Sequence, residues 1–289
     1  MQLRSSTAYT RRLMSYPFRQ AICNEVFQGW DFAAQCRTIR RLGYAGIEIA
    51  PLTLADDPAS IPPARRRELV DIMAGEGLEF VGLHWLMVAP KGLHVTTPDL
   101  ALRARSWLHI ATLIDLCGDL GGGKMIFGSP AQRKSTGGSS KAESTFQFVE
   151  GFRRAAGHAI SRGVTLLMEP LPPHDTDVLN TLEEASGYVA AIASPAIQTM
   201  YDSHNAVKEV EAHDVLVDRY FDIIRHIHVN EMDGRHPGTG DWDFKPVLRT
   251  LARRGYEGWI SMEAFDFSAG AEKIAHDSIR YLEAEISKL

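Results

Sequence analysis

The chain has 289 residues, enough for one large domain or two small ones, and its 45% hydrophobic and 23% charged residues are typical of a soluble globular protein. A formal net charge of −5 argues against a surface that binds nucleic acid, and no apolar stretch approaches the length of a membrane span. The three cysteines, Cys23, Cys36 and Cys117, include no CxxC pair. This argues against a disulfide framework or a zinc knuckle and favours a reducing compartment, the cytoplasm.

The first 19 residues differ from the rest of the chain in composition. They contain four arginines among Ser and Thr and no acidic residue. Such a composition overlaps with that of a transit peptide, but a flexible extension is the simpler interpretation. We therefore predict an N-terminal extension over 1–19 and one folded domain over 20–289.

From residue 20 onward, short apolar stretches alternate with stretches of helical periodicity. Strands are predicted at 21–27, 46–50, 79–85, 124–127, 164–169, 197–202, 223–229 and 258–263. Helices are predicted at 31–42, 62–74, 98–120, 146–162, 181–192, 207–220, 244–254 and 271–286. The stretch 128–140 is rich in Gly and Ser and is predicted to be a mobile loop.

Eight strands, each followed by a helix, predict an α/β fold with a parallel sheet. Over this length, the pattern indicates a closed (β/α)₈ TIM barrel in a single domain. The competing architecture is a doubly wound open sheet, which usually carries a Gly-rich phosphate turn after its first strand. Here the run of three glycines, 121–123, precedes a strand, so the closed barrel is favoured.

Four of the predicted strands end in a residue that can bind a divalent metal: Glu169, Asp202, His228 and Glu263. Any one of them alone would most simply be a polar residue facing solvent. Four at matching strand ends favour convergence on one point, because the ends of parallel barrel strands meet at one face. A buried charge is costly unless it is paired or bound to metal. Three carboxylates and one imidazole suit Mn²⁺, Mg²⁺ or Co²⁺, and Zn²⁺ is compatible.

Other polar residues lie where they could line a pocket at this face. Glu48 stands between two isoleucines and His84 ends the third strand, so each could face the pocket or be hydrogen-bonded in the core. His226 is more consistent with packing beside the site than with metal binding. Loop residues could contact substrate or simply be solvated, and aromatic residues could form an apolar wall or only pack: Arg133, Lys134, His174, Asp175, His204, Arg235, Trp85, Trp242 and Phe265.

Several motifs together resemble the xylose-isomerase-like TIM-barrel superfamily. They are Met168-Glu169-Pro170, Tyr201-Asp202, 226–231 (His-Ile-His-Val-Asn-Glu) and 261–265 (Ser-Met-Glu-Ala-Phe), with a weaker match at 43–48 (Gly-Tyr-Ala-Gly-Ile-Glu). Within the superfamily, the chain is similar to the sugar phosphate isomerases and epimerases, including ketose 3-epimerases and inosose-handling enzymes. The resemblance implies that Glu169, Asp202, His228 and Glu263 are metal ligands. It also implies that Glu169 and Glu263 are the acid/base pair.

The chain departs from the ketose 3-epimerase pattern at three positions. Asp175 stands where a glutamate is expected, and Asn205 replaces a histidine, with His204 one place early. Arg235 is displaced by one residue from the expected arginine. These departures leave the metal site supported and the ketohexose specificity unsupported.

The resulting prediction is a divalent-metal-dependent isomerase or epimerase of a small sugar or keto-polyol, which transfers a proton through a metal-bound enediolate. Glu48, His84, Asp175, His204 and Arg235 are its predicted substrate-binding residues. The alternatives are a dehydratase of an inosose-like cyclic polyol ketone, an endonuclease IV-like hydrolase, which would need more His and Asp ligands, and a non-catalytic binding barrel. The expected partner is a small carbohydrate, with neither nucleic acid nor membrane. Barrels of this kind often pair through their outer helices, which leaves a homo-oligomer open.

Overall fold

The computed structural model describes residues 18–289. The predicted N-terminal extension therefore lies outside the described residues except at its end, where Arg19 already belongs to the first strand. Eight parallel strands occur in this part of the chain: β1 Arg19–Cys23, β2 Gly46–Ile49, β3 Glu79–Leu83, β4 Gly123–Phe127, β5 Val164–Met168, β6 Ile197–Asp202, β7 Ile224–Val229 and β8 Trp259–Met262.

The strands pair in sequence order, and β1 also pairs with β8, so the sheet closes on itself. The α-helices surround it: α1 Phe32–Leu42, α2 Pro63–Gly75, α3 Leu100–Asp119, α4 Lys141–Ser161, α5 Leu182–Ile192, α6 His213–Arg219, α7 Lys245–Arg253 and α8 Ala271–Ile286. This arrangement confirms the predicted single-domain TIM barrel. Within 18–289, no helix combines the length and apolarity needed to cross a membrane.

Several element boundaries differ from the prediction, and at the end of the first strand the reason lies in distant contacts. The first strand ends at Cys23, and 24–27 form a 3₁₀ turn. The side chain of Asn24 accepts a hydrogen bond from the backbone of Ala50 and donates one to Gln35, which turns the chain inward. The sixth helix begins at His213 instead of residue 207, after a short 3₁₀ segment.

Apolar side chains form two separate layers on the two sides of the strands. The large layer fills the space between strands and helices. A small cluster of Ile126, Leu167 and Met200 lies apart from it, and these residues alternate with outward-facing ones along β4, β5 and β6. Glu169 and Asp202 lie on the same inward face, two residues after Leu167 and Met200 respectively. The inner apolar cluster thus forms the base below the carboxyl ends of the strands, where function resides in barrels of this kind.

Close approach of β3 and β4 requires a glycine at position 82. Gly82 pairs with Lys124, and a Cβ added there would overlap the carbonyl oxygen of Lys124. We expect Gly82→Ala to lower the free energy of unfolding by about 1–3 kcal/mol, because the two strands would have to separate. Gly75→Ala is the matched control, since a Cβ at the end of α2 meets no atom within 4 Å. Urea denaturation that gives equal stabilities for both variants would contradict this.

Candidate active site

Four strand ends bring their metal-binding side chains to one point. Glu169 follows β5, Asp202 ends β6, His228 lies in β7 and Glu263 follows β8. Each offers a ligand atom, and these atoms all lie within 4.8 Å of one another. The four residues are only 1–6% exposed. We call them the four-ligand cluster.

The imidazole of His228 presents different partners on its two nitrogens. Nδ1 lies 3.1 Å from Glu263 Oε2 and 3.6 Å from Asp202 Oδ2. Nε2 lies 2.9 Å from Glu48 Oε1. A proton on Nε2 is therefore donated to Glu48, which leaves Nδ1 as the nitrogen that faces the cluster. This is the arrangement in which a carboxylate orients a metal-binding histidine.

The carboxylates of the cluster destabilise one another's charged forms. Burial raises the pKa of Glu169 to about 8, and the charges of Asp202 and Glu263 act in the same direction. The pKa of Glu263 is also raised, chiefly by burial. Burial alone would lower the pKa of His228, but Glu48, Cys23 and Glu263 raise it well above its usual value. Three buried carboxylates with one imidazole nitrogen among them fit a divalent cation, whose charge relieves this repulsion.

Glu48, predicted to bind substrate, lies beneath the cluster instead of on the cavity wall. It is fully buried, with Oε1 bonded to His228 and Oε2 lying 2.7 Å from His226 Nε2. Because β2 places it deeper in the barrel than the strand-end residues, it meets histidines of β7 and does not line the cavity. His226 is likewise packed against Glu48 and is not part of the four-ligand cluster.

A cavity of about 440 Å³ opens beside Glu169 and Glu263. Trp85 and Phe265 form one wall, with their rings stacked 6.3 Å apart between centroids and 4° from parallel. Trp85 Nε1 also donates a hydrogen bond to Glu263 Oε1 at 3.1 Å. The volume suits a small polar molecule. The third predicted wall residue, Trp242, packs against His213 instead.

Two non-glycine residues on the cavity wall have a left-handed backbone. Trp85 has φ +51° and Ser129 has φ +43°. The Oγ of Ser129 is buried and has no hydrogen-bond partner within the part of the chain that the structure describes. Backbone strain of this kind costs on the order of 1–3 kcal/mol and tends to persist at ligand sites. Both strained residues thus lie on the wall of the same cavity, beside Glu169 and Glu263.

The remaining predicted substrate residues divide between the cavity and the surface. His84, Asp175 and His204 line the cavity. Arg235 does not line it, and its Nε is bonded to Asp233 Oδ2 at 2.8 Å. The physical reason lies one residue earlier, where Gly234 packs its backbone against the ring of Phe265, so Arg235 is placed beyond the cavity wall.

Comparison with known proteins bears on this fold and this site. The model of the family described as "Xylose isomerase-like TIM barrel" matches residues 36–285. The chain belongs to this family. Among curated relatives, a fructoselysine 3-epimerase of Escherichia coli O157:H7 is 26% identical, over 40% of this chain and 44% of that relative. The match thus spans less than half of that relative's length.

Two further similarities cover more of the chain. An L-ribulose 3-epimerase of Methylomonas sp. (strain DH-1) is 24% identical over 82% of this chain and 80% of that relative. A solved D-psicose 3-epimerase of Clostridium cellulolyticum H10, with D-tagatose, has a TM-score of 0.82 at 18% identity. It covers 93% of this chain and 99% of that chain. At this identity, the structural likeness shows the family's fold and not its substrate.

Two residues that the sequence did not assign to the four-ligand cluster hold it in place. Asn205 donates from Nδ2 to Glu169 Oε1 at 2.9 Å and from its backbone to Asp202 Oδ1 at 2.8 Å. The sequence offered one sign of this role, since Asn205 stands where the ketose 3-epimerase pattern has a histidine. Arg133 is fully buried, and it donates to the carbonyl oxygens of Phe127, Glu169 and Leu179. Its loop, predicted to be mobile, is therefore tied to three separate segments.

Glu48→Gln is expected to weaken divalent-metal binding by about 10–100-fold. His226 and His228 are bonded to different oxygens of Glu48, and the amide replaces one of these acceptors with an NH2 group that can only donate. Isothermal titration of the metal-free protein with Mn²⁺ measures the change. Glu79→Gln is the matched control, since this side chain is 64% exposed at the opposite end of β3. An unchanged affinity in Glu48→Gln would show that Glu48 does not orient His228.

Metal binding is expected to strengthen as pH rises from about 6 to 8. In the metal-free folded protein, Glu169 keeps its proton up to about pH 8, whereas its usual pKa is 4.5. The folded state therefore binds more protons than the unfolded state in this window, so this residue's contribution to stability falls as pH rises. A cation must displace that proton. The rise in Tm on adding Mn²⁺ should consequently grow with pH, and in Glu169→Gln that growth should be smaller.

Proposed function

We propose that the protein is a divalent-metal-dependent isomerase or epimerase of a small ketose or keto-polyol. The observation that carries this proposal is the presence of two buried carboxylates, Glu169 and Glu263, on one cavity and in one cluster with Asp202 and His228. Carboxylates of this kind can remove a proton beside a carbonyl and return it without an organic cofactor. The three relatives described above are 3-epimerases by name, which supports the same reaction class.

The four-ligand cluster would hold the cation, with Mn²⁺, Mg²⁺, Co²⁺ and Zn²⁺ all compatible with its donors. When bound, such an ion polarises the carbonyl and the neighbouring hydroxyl of a sugar. It thereby acidifies the proton on the hydroxyl-bearing carbon next to the carbonyl. The carboxylate donors are fixed before substrate arrives. Asn205 holds Glu169 Oε1, and Trp85 holds Glu263 Oε1.

The protein's own residues supply the proton transfer. One glutamate removes the proton alpha to the carbonyl, and the other returns a proton on the opposite face or at the neighbouring carbon. In the metal-free protein the pKa of each glutamate is raised, chiefly by burial, so each can hold a proton before a cation binds. The stacked rings of Trp85 and Phe265 would cover an apolar face of the substrate and exclude water from one side.

Incubation with ketohexoses, ketopentoses and inososes in D₂O, with Mn²⁺ present, tests the proposal. An epimerase or isomerase incorporates deuterium at a carbon next to the carbonyl. Apart from this exchange, the product has the same molecular formula as the substrate. A product lighter by one water would instead support the dehydratase. Metal binding without deuterium incorporation into any of these compounds would overturn the proposal and favour a non-catalytic barrel.

The state of the cysteines bears on the cellular location. All three cysteines are buried and free. Free thiols are typical of proteins from a reducing compartment. We propose a cytoplasmic location, which fractionation of the source cells with an antibody would test.

A further inference from the structure

A second cluster of metal-binding side chains lies beside the four-ligand cluster. Cys23 ends β1, Glu25 lies two residues later, and His84 follows β3. Together with Glu263, each offers a ligand atom, and these atoms all lie within 4.8 Å of one another. Of these residues, only Glu263 also belongs to the four-ligand cluster.

The three additional residues are fully buried, and one of their oxygens lacks a partner. Cys23, Glu25 and His84 are each 0% exposed. Glu25 Oε2 lies 2.7 Å from His84 Nε2. Glu25 Oε1, however, is buried and has no hydrogen-bond partner within residues 18–289. An unsatisfied buried carboxylate oxygen is costly, so its presence here points to a missing cationic ligand.

The charges around the two clusters also indicate that positive charge is missing from this region. Five buried carboxylates lie in this connected region: Glu25, Glu48, Glu169, Asp202 and Glu263. The buried guanidinium that touches it is that of Arg133. With the histidines of the region neutral, Arg133 and one divalent cation compensate three of the five negative charges. A second divalent cation supplies two more positive charges, and because its binding also deprotonates Cys23, the net charge of the region changes from −2 to −1.

We propose that Cys23, Glu25 and His84, with Glu263 shared, form a second divalent-metal site that makes the centre dinuclear. A thiolate, an imidazole and carboxylates are donors that favour Zn²⁺ or Co²⁺ over Mg²⁺. Binding requires Cys23 to release its proton to solvent as the metal–sulfur bond forms. A carboxylate shared by two ions is typical of centres with the ions about 3.5–4 Å apart.

The position of Cys23 links the two sites. Its Sγ lies 3.9 Å from His228 Nε2, on the side of the imidazole that faces away from the four-ligand cluster. The second site therefore lies on the β1–β3 side of the barrel, and the first on the β5–β7 side. The proposal goes beyond the proposed function, because a dinuclear centre could exist whether or not the protein moves a substrate proton.

Titration of the metal-free full chain with Co²⁺ tests the second site without any substrate. We expect two bound equivalents and a thiolate-to-cobalt charge-transfer band in the near ultraviolet. Cys23→Ser should lose this band and bind one of the two Co²⁺ equivalents more weakly. Cys36→Ser is the matched control, because Cys36 is an equally buried thiol on α1, outside both clusters, and it should keep both features.

Asp202→Asn separates the two sites, since Asp202 belongs only to the four-ligand cluster. We expect Asp202→Asn to weaken Co²⁺ binding at the four-ligand cluster and to keep the charge-transfer band of the second site. A band in the wild type with a single equivalent would support the second site while contradicting the first. A wild type that binds one equivalent with no band would overturn the second site, as would a band that survives in Cys23→Ser.

X-ray absorption of the Zn²⁺-loaded wild type requires no variant, so it remains decisive if Cys23→Ser does not fold. A sulfur neighbour at about 2.3 Å from zinc is expected, because Cys23 would be a direct ligand. A zinc environment of only nitrogen and oxygen would overturn the proposal. In that case a hydrogen-bonded pair of Glu25 and protonated His84 would account for the cluster.

Discussion

Replacing Glu169 or Glu263 by Gln is expected to lower kcat for the proposed isomerisation by about 10²–10⁴-fold, the range in which a positioned acid or base contributes. The amide keeps an oxygen that can face a cation but can neither take nor return the proton. Both side chains are buried on the cavity, so bulk water cannot readily replace them. Initial rates at saturating Mn²⁺, with bound metal measured in each variant, separate lost chemistry from lost metal.

The two variants should differ in solvent exchange if the glutamates act on opposite faces of the substrate. Each is then expected to retain deuterium exchange into the one epimer whose proton the remaining glutamate can reach. Glu183→Gln, on the exposed side of α5, is the matched control and should keep full activity. Undiminished exchange into both epimers in both variants would contradict the assigned roles.

Arg133→Met is expected to lower the free energy of unfolding by about 3–5 kcal/mol, because each buried acceptor left without its donor costs about 1–3 kcal/mol. The substitution removes the donors to three buried carbonyl oxygens, those of Phe127, Glu169 and Leu179. A fall in Tm on the order of 10 °C should follow for a domain of this size. Arg133→Lys is expected to recover only part of this loss, because an ammonium lacks the planar fork of a guanidinium.

Arg235→Met is the matched control for this stability prediction. Its side chain is 43% exposed, and its guanidinium pairs with Asp233 on the surface. Removing it should change stability by less than about 0.5 kcal/mol. Thermal unfolding of the metal-free variants measures both effects under one condition. Equal melting temperatures for Arg133→Met and Arg235→Met would show that the buried guanidinium does not hold the three segments together.

The parts of the structure that the sequence predicts well are those that depend on local periodicity. Alternating strands and helices specify a closed parallel barrel, because few other folds accommodate eight such units. Glu169, Asp202, His228 and Glu263 each lie at or beside the carboxyl end of a strand. Their convergence therefore follows once the strands are parallel.

The parts that could not be predicted depend on depth and on contacts between distant segments. The periodicity of Glu48 indicates an inward side chain, but its depth below the cavity depends on strand stagger. Glu25 lies in an apolar stretch that looks like continuing strand, and the inward turn depends on a hydrogen bond from Ala50 to Asn24. The burial of Arg133 depends on carbonyl groups from three segments, and its Gly- and Ser-rich loop carries no sign of them.

Anomalous diffraction at the zinc edge, from crystals soaked in Zn²⁺, tests most directly whether the four strand ends form a metal centre. We expect an anomalous peak within about 2.0–2.2 Å of His228 Nδ1 and of carboxylate oxygens of Glu169, Asp202 and Glu263. A peak bonded to His228 through Nε2, or zinc bound only elsewhere while these four side chains stay unligated, would contradict the proposed centre.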